Sequence, residues 1–292
     1  MISRESQLKL LSLIGIAPLF YYLAAYLNLD FFYDEVFTLQ RFVFAPFSKA
    51  FGEYTIANNH YLANVVNFLY VRLIGEQAVY SLMDHPWMMR LPELVYTVLT
   101  LITLYVLSSR YLSKTIAFLS VLMLATSIPF YNFSLQVRGY SLSMLLATAI
   151  ILSIFRFEIL PGIVPGAILA VLTGAFLYCM PSNLYFVMAV CLFYAAACAG
   201  AFLTQKSHSH DEHARHKKHK DTHPPELAPR KHCRYALLLA VLGLGVALAV
   251  ICYLPLIGGM RNDENLAGRG LFYMPTLTDM MPSVLDAFVS WR

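Results

Sequence analysis

Charged side chains are scarce in this sequence. Asp, Glu, Lys and Arg make up 13% of its 292 residues, against roughly 25% in soluble proteins, while 59% are hydrophobic. That deficit excludes an ordinary soluble domain and points to a chain embedded in a bilayer. Cysteine is sparse too. Cys179, Cys191, Cys198, Cys233 and Cys252 lie scattered in apolar segments without a CxxC pair, which argues against a disulfide framework or a thiolate metal site. No small-residue cleavage motif follows the apolar N-terminal stretch, which runs to about Leu29 and is too long for a signal-peptide core, so a retained signal anchor is expected. The net charge of +4 gives no nucleic-acid signal, because the basic residues collect mostly in one short loop.

What is present is a series of apolar segments. Residues 9–29, 91–109, 115–131, 140–156, 163–180, 184–204 and 235–257 approach the ~20 residues that a membrane-crossing helix needs. The expected fold is therefore all-α, a polytopic membrane protein with seven transmembrane helices. With the N-terminus in the cytoplasm, Arg110, Lys114, Arg156 and the basic loop at 205–234 fall on the cytoplasmic side, the bias that real topologies show. Segment 60–76 is apolar but short, and Asn64, Asn67 and Arg72 interrupt it. Counting it as a span would send the basic loop outside. Segments 36–51 and 60–76 are therefore expected to be interfacial helices in a long first external loop, residues 30–88.

The chain divides into a transmembrane module (1–204), a His/Lys-rich cytoplasmic linker (205–234), and a seventh span with an outer segment (235–292). The linker is polar and biased, and is expected to be disordered. It holds seven of the nine histidines, a composition with affinity for zinc or nickel. It lacks the regular cysteine or carboxylate partners of a structural site, so a solvated linker is the favoured reading and no metal ligand is assigned.

The remaining ionisable residues gather on the outer side in five short motifs. FFYDEVFTLQ places Asp34 and Glu35 just after the first span, where one carboxylate could act as a general base or hold a divalent cation; the plainer reading is an acidic first turn of a helix. ANNHYL brings Asn58, Asn59 and His60, donors and acceptors suited to hydroxyl-rich ligands, though helix capping suits them as well. WMMRLPELV sets Arg90 at the outer start of the second span. YNFSLQVRGYSLSM groups Gln136, Arg138, Tyr140 and Ser141. An external arginine runs against the positive-inside trend and invites an anionic partner, unless it snorkels to lipid headgroups. LYCMPSNLYF forms an outer turn with Pro181, Ser182 and Asn183, for which an ordinary helix–helix turn is the plainer account.

Taken in order, these motifs resemble the GT-C superfamily of polytopic glycosyltransferases, which includes protein O-mannosyltransferases and lipid A aminoarabinose transferases. The resemblance rests on the acidic pair Asp34-Glu35, NNHYL, WMMRLP, SLQVRGYSL and YCMPSNLYF, and covers about residues 10–200. Asn-Asn-His-Tyr-Leu stands where the family usually has His-Pro-Pro-Leu. Because family members generally carry further spans, the chain is expected to be the N-terminal transmembrane module of a longer enzyme.

The resemblance implies a sugar donor linked through phosphate to a polyprenyl lipid, a lipid, glycan or protein acceptor, and an active site on the outer face of a membrane, with the bacterial inner membrane expected. It implies Asp34 and Glu35 as catalytic, Arg138 and Arg90 as donor phosphate-binding, and Asn59, His60, Gln136, Tyr140 and Ser182 as substrate-binding. No cofactor is assigned, and a divalent cation is left open. Two readings compete: a transporter or metal-ion carrier using the histidine loop, and a catalytically inert scaffold derived from the same fold. Transport predicts ionisable groups at the midplane of spans, whereas the charged residues here collect at one surface.

Overall fold

The structure is a computed structural model that describes residue 21 and residues 23–52, 59–75, 84–216 and 231–262. Among these residues every regular element is helical, in keeping with the all-α expectation. A short helix α1 (Tyr33–Thr38) runs on through a π-type turn (Leu39–Val43). It is followed by α2 (Phe47–Gly52), α3 (Tyr61–Ile74) and the single turn α4 (Pro86–Met89). The long elements are α5 (Leu91–Tyr111), α6 (Lys114–Ala125), α7 (Ile128–Ser134), α8 (Tyr140–Ile159), α9 (Ile163–Cys179), α10 (Leu184–His216) and α11 (Lys231–Asn262).

Among the described residues four helices are long and apolar enough to cross a membrane: Leu91–Tyr111, Tyr140–Ile159, Pro181–Phe202 and Cys233–Leu256. The expected count of seven is thus not reached among the described residues. Most of the first expected span, residues 9–20 and Tyr22, lies outside them. The third, expected at 115–131, is broken: α6 stops at Ala125, and α7 departs at 70°. Pro129 accounts for the break, since proline suits the first turn of a helix and disrupts its interior. The Tyr131 hydroxyl donates to the Ala125 carbonyl, satisfying one acceptor that the break exposes. Counted as one span, this pair brings the total to five. The fifth expected span forms α9, whose 17 residues fall short of a full crossing length.

Two further expectations change. Segment 36–51 is not one helix, because Pro46 forces a break between the π-type turn and α2. The linker expected at 205–234 is partly helical: α10 continues to His216 and α11 begins at Lys231, while residues 217–230 and the outer segment 263–292 lie outside the described residues.

The helices alternate in direction, so the start of α5, the α7–α8 connection and the α9–α10 turn share one end of the bundle. Arg110, Lys114, Arg156 and Arg234 belong to the opposite end. On α8, Leu142, Leu146, Ile150, Ile154 and Phe157 recur at helical spacing and form a buried stripe with Leu169 and Phe176 of α9 and Leu238 and Leu242 of α11. α3 is about 21 Å long at 1.5 Å per residue, short of a roughly 30 Å hydrocarbon core. It buries Tyr61, Asn64, Asn67 and Phe68, exposes Leu69 and Leu73, and carries the Arg72 guanidinium over the Phe68 ring at 5.1 Å.

α9 and α11 approach closely. A Cβ on Gly245 would stand 2.6 Å from the Thr173 Cβ and 2.8 Å from the Ala170 carbonyl, whereas one on Gly243 would meet nothing within 4 Å. Small residues at such a crossing let the backbones pack directly, the main source of helix association in a bilayer. Gly245→Ala is therefore expected to lower the melting temperature in detergent, with overpacking costing about 1–3 kcal/mol, and Gly243→Ala to leave it unchanged.

Candidate active site

The centre of the site end is Glu35. An acid in the first turn of α1, it turns inward and is fully buried. Its Oε2 accepts from the Phe32 backbone N–H at 2.9 Å and from Arg90 Nη2 at 2.7 Å. Its Oε1 accepts from Arg90 Nε at 3.1 Å and from the Val137 N–H at 2.8 Å. One carboxylate thus joins its own helix start, the start of α5 and the segment between α7 and α8.

Arg90 is just as fully engaged. Besides the two-pronged pair with Glu35, its Nη1 donates to the carbonyls of Tyr26, Leu27 and Leu29 at 2.9, 3.2 and 2.6 Å, and Nη2 to Asp30 at 3.2 Å. Tyr26 and Leu27 are the last residues of a helical stretch, whose terminal carbonyls run short of partners within their own helix, and Leu29 and Asp30 lie in the turn just after it. A guanidinium has five N–H donors. All are directed at protein acceptors, and the side chain is 2% exposed, so Arg90 offers no donor to a phosphate in this arrangement.

Asp34 faces the other way. Its carboxylate is 60% exposed and pairs through Oδ2 with Arg138 Nη1. Arg138 follows a tight turn in which its own N–H donates to the Gln136 carbonyl at 2.6 Å; its guanidinium lies over the Tyr140 ring at 5.3 Å. The Tyr140 ring meets His60 edge-on, centroids 4.8 Å apart. Asn59, His60 and Tyr140 are therefore drawn into one continuous assembly with Asp34 and Arg138, and Gln136 sits half-buried on the same turn.

Asn59 is buried, and its Oδ1 accepts from the His60 N–H at 2.8 Å and from Asn64 Nδ2 at 2.7 Å, fixing the entry to α3. His60 is buried too, and neither ring nitrogen has a hydrogen-bond partner among the described residues. Burial, with the Arg138 charge adding to it, pushes its pKa down to about 3, so the ring is neutral at pH 7. Gly139 packs against this ring: a Cβ there would lie 2.9 Å from both His60 Nδ1 and Cys179 Sγ. Ser182 is exposed on the α9–α10 turn; the inward residue is Asn183, whose Nδ2 donates to Ser143 Oγ at 2.9 Å and to the Phe176 carbonyl at 2.6 Å.

A buried acid within WMMRLPELV, to which the sequence assigned no role, lies below this layer. Glu93, on the first turn of α5, is fully buried; it accepts from Asn67 Nδ2 at 3.0 Å and from the Ser141 hydroxyl. An acid inside an apolar span was the available signal. Among the described residues no group of three His, Cys, Asp or Glu side chains is arranged to hold a metal. Nor does the acidic pair fit a divalent cation, since Glu35 is occupied by N–H donors and Asp34 sits against a guanidinium.

Residues 76–208 match the family model described as dolichyl-phosphate-mannose-protein mannosyltransferase. The match supports a membrane glycosyltransferase of the GT-C type. No curated protein and no solved structure matches the chain. The GT-C match contains Arg90, Gln136, Arg138, Tyr140 and Ser182; Asp34, Glu35, Asn59 and His60 precede it. The two groups meet in the Glu35–Arg90 and Asp34–Arg138 ion pairs.

Two predictions follow from this geometry. Glu35→Gln strands the Arg90 charge in a buried position and is expected to cost about 3–5 kcal/mol, read from unfolding in detergent–denaturant titrations. For His60 the folded-state pKa lies below the unfolded value of 6.5. Below pH 6.5 the unfolded chain therefore binds a proton that the native one refuses, and stability falls by about 1.4 kcal/mol per pH unit toward pH 3. His60→Gln is expected to remove that part of the slope between pH 7 and pH 5, measured as melting temperature against pH.

Proposed function

We propose that the protein transfers a sugar from a polyprenyl-phosphate donor to an acceptor hydroxyl, on the membrane face opposite its Lys/Arg-rich loops. The observation that carries this reading is the Asp34–Arg138 pair, in which an exposed carboxylate is held beside a guanidinium at one end of a helical bundle. The donor's lipid stays in the bilayer while its phosphate and sugar project to that end. The positive-inside bias makes it the outer face, and the bacterial inner membrane is the proposed location.

The reaction needs two services. A hydroxyl is a weak nucleophile, and Asp34 is the group placed to take its proton as the oxygen attacks the anomeric carbon. The bond from that carbon to the phosphate oxygen breaks as the new one forms, its electron pair leaving with the polyprenyl phosphate. Arg138 is suited to stabilise the departing anion, because a guanidinium can grip two phosphate oxygens at once. A single displacement of this kind inverts the anomeric configuration. The products are the glycosylated acceptor, polyprenyl phosphate and a proton passed on from Asp34.

The same reading divides the polar residues by role. Glu35 and Arg90 hold the site together rather than touch the donor, since their donors and acceptors are mutually occupied. His60, neutral and buried with neither ring nitrogen hydrogen-bonded among the described residues, would serve a sugar or acceptor hydroxyl that reaches it, together with Tyr140, Gln136 and Asn59. The acceptor is a lipid, glycan or protein hydroxyl.

Asp34→Asn is expected to lower transfer by about 10²–10⁴-fold; because it also takes the counter-charge from the buried Arg138 guanidinium, the melting temperature is measured alongside to separate lost chemistry from lost stability. Arg138→Lys is expected to lower it by about 10²-fold or more, because an ammonium lacks the planar fork. Both are read from labelled sugar leaving polyprenyl-phosphate mannose or glucose in membranes. Wild-type rates in Asp34→Asn would remove Asp34 as the base.

A further inference from the structure

The segment carrying Arg138 is held at three points. In its middle, the Val137 N–H donates to Glu35. At its start, the Thr97 hydroxyl lies 3.0 Å from the Ser134 carbonyl and 2.7 Å from the Glu93 carbonyl. At its end, the Ser141 hydroxyl bonds to the Glu93 carboxyl group. The other Glu93 oxygen accepts from Asn67 of α3, the helix that begins directly after His60. Among the described residues no ion pair engages Glu93, so its partners are the amide and the hydroxyl. An isolated acid buried this way is costly to keep unless its contacts serve the fold or the site.

We propose that Glu93 is a positioning residue for the Asp34–Arg138 site: from the first turn of α5 it fastens α3 to the start of α8, and so fixes where Arg138 and His60 stand. The proposal rests on the glycosyltransferase reading for its effect on turnover, though not for its effect on geometry. What the position requires is a side chain of glutamate length with two polar atoms. An amide meets that need, its oxygen accepting from Asn67 and its NH₂ donating to the Ser141 oxygen, with the hydroxyl turned round. Aspartate keeps the carboxyl group but is one methylene too short to reach both partners.

The test compares Glu93→Gln, Glu93→Asp and Glu93→Ala in the full chain, with wild type and Asp34→Asn as references. Transfer from polyprenyl-phosphate mannose and glucose in membranes gives kcat and donor KM. A second, activity-independent readout is the rate at which a water-soluble maleimide labels Gln136→Cys, corrected for the native cysteines. Glu93→Gln should transfer and label like wild type. Glu93→Asp should lose about 10²-fold in kcat, the cost of a misplacement near 1 Å, with donor KM little changed and labelling of Cys at 136 accelerated. If Glu93→Ala fails to fold, the Gln and Asp variants still decide. Wild-type turnover and labelling in Glu93→Asp would overturn the proposal, and so would a Glu93→Gln variant as impaired as Glu93→Ala. Should the wild type prove silent with both donors while Glu93→Asp alone labels faster, the positioning role stands and the transferase reading is what fails.

Discussion

The ion pair between Glu35 and Arg90 sets the geometry of everything at the site end of the bundle. It is buried on both sides and made by a fork of two N–H groups on one carboxylate. A pair so placed is stable only when its remaining lone pairs and protons are also satisfied. Here they are, by the Phe32 and Val137 amides on one side and by the carbonyls of residues 26, 27, 29 and 30 on the other. Consecutive residues on a helix point about 100° apart, so turning Glu35 inward turns Asp34 out. The exposed carboxylate facing Arg138 is thus a geometric consequence of its neighbour's burial.

A second constraint is the cost of burying polar groups among apolar helices. A protein hydrogen-bond partner offsets that cost. Asn59, Asn64, Asn67, Glu93, Thr97 and Ser141 enter together and bond largely to one another or to nearby carbonyls. Farther along the bundle the contacts turn apolar, and the α8 stripe packs against α9 and α11. Polarity is graded along the bundle, rich at the site end and sparse beneath it.

Much of this arrangement could be read from the residues alone, for identifiable reasons. Spans such as 91–109 and 140–156 declare themselves through continuous apolar length, and the single-sided distribution of Lys and Arg orders their ends. The asparagines at 64 and 67 argue against a span at 60–76, and the structure shows both buried against polar partners. Local composition did not reveal the break at Pro129, because the flanking residues are as apolar as those of an intact span. Nor could it separate two outward arginines: Arg90 and Arg138 look alike in sequence, and only tertiary placement shows the donors of one to be fully engaged within the protein. Glu93 lies within WMMRLPELV itself, three residues after Arg90, and nothing in the local sequence tells an acid at the mouth of a span from one buried among helices.

The capping of residues 26–30 by Arg90 also has a temporal side. The helix end and its cap are separated by about 60 residues of chain. At ordinary rates of synthesis the ribosome needs roughly 3–12 seconds to supply them. During that interval the terminal carbonyls must be solvated at the membrane surface, and the first loop has nothing to close upon. Val137, a further 47 positions along by number, joins later still. The order of synthesis therefore sets the earliest moment at which each contact can form: Arg90 becomes available to the helix end and Glu35 before the segment bearing Arg138 does.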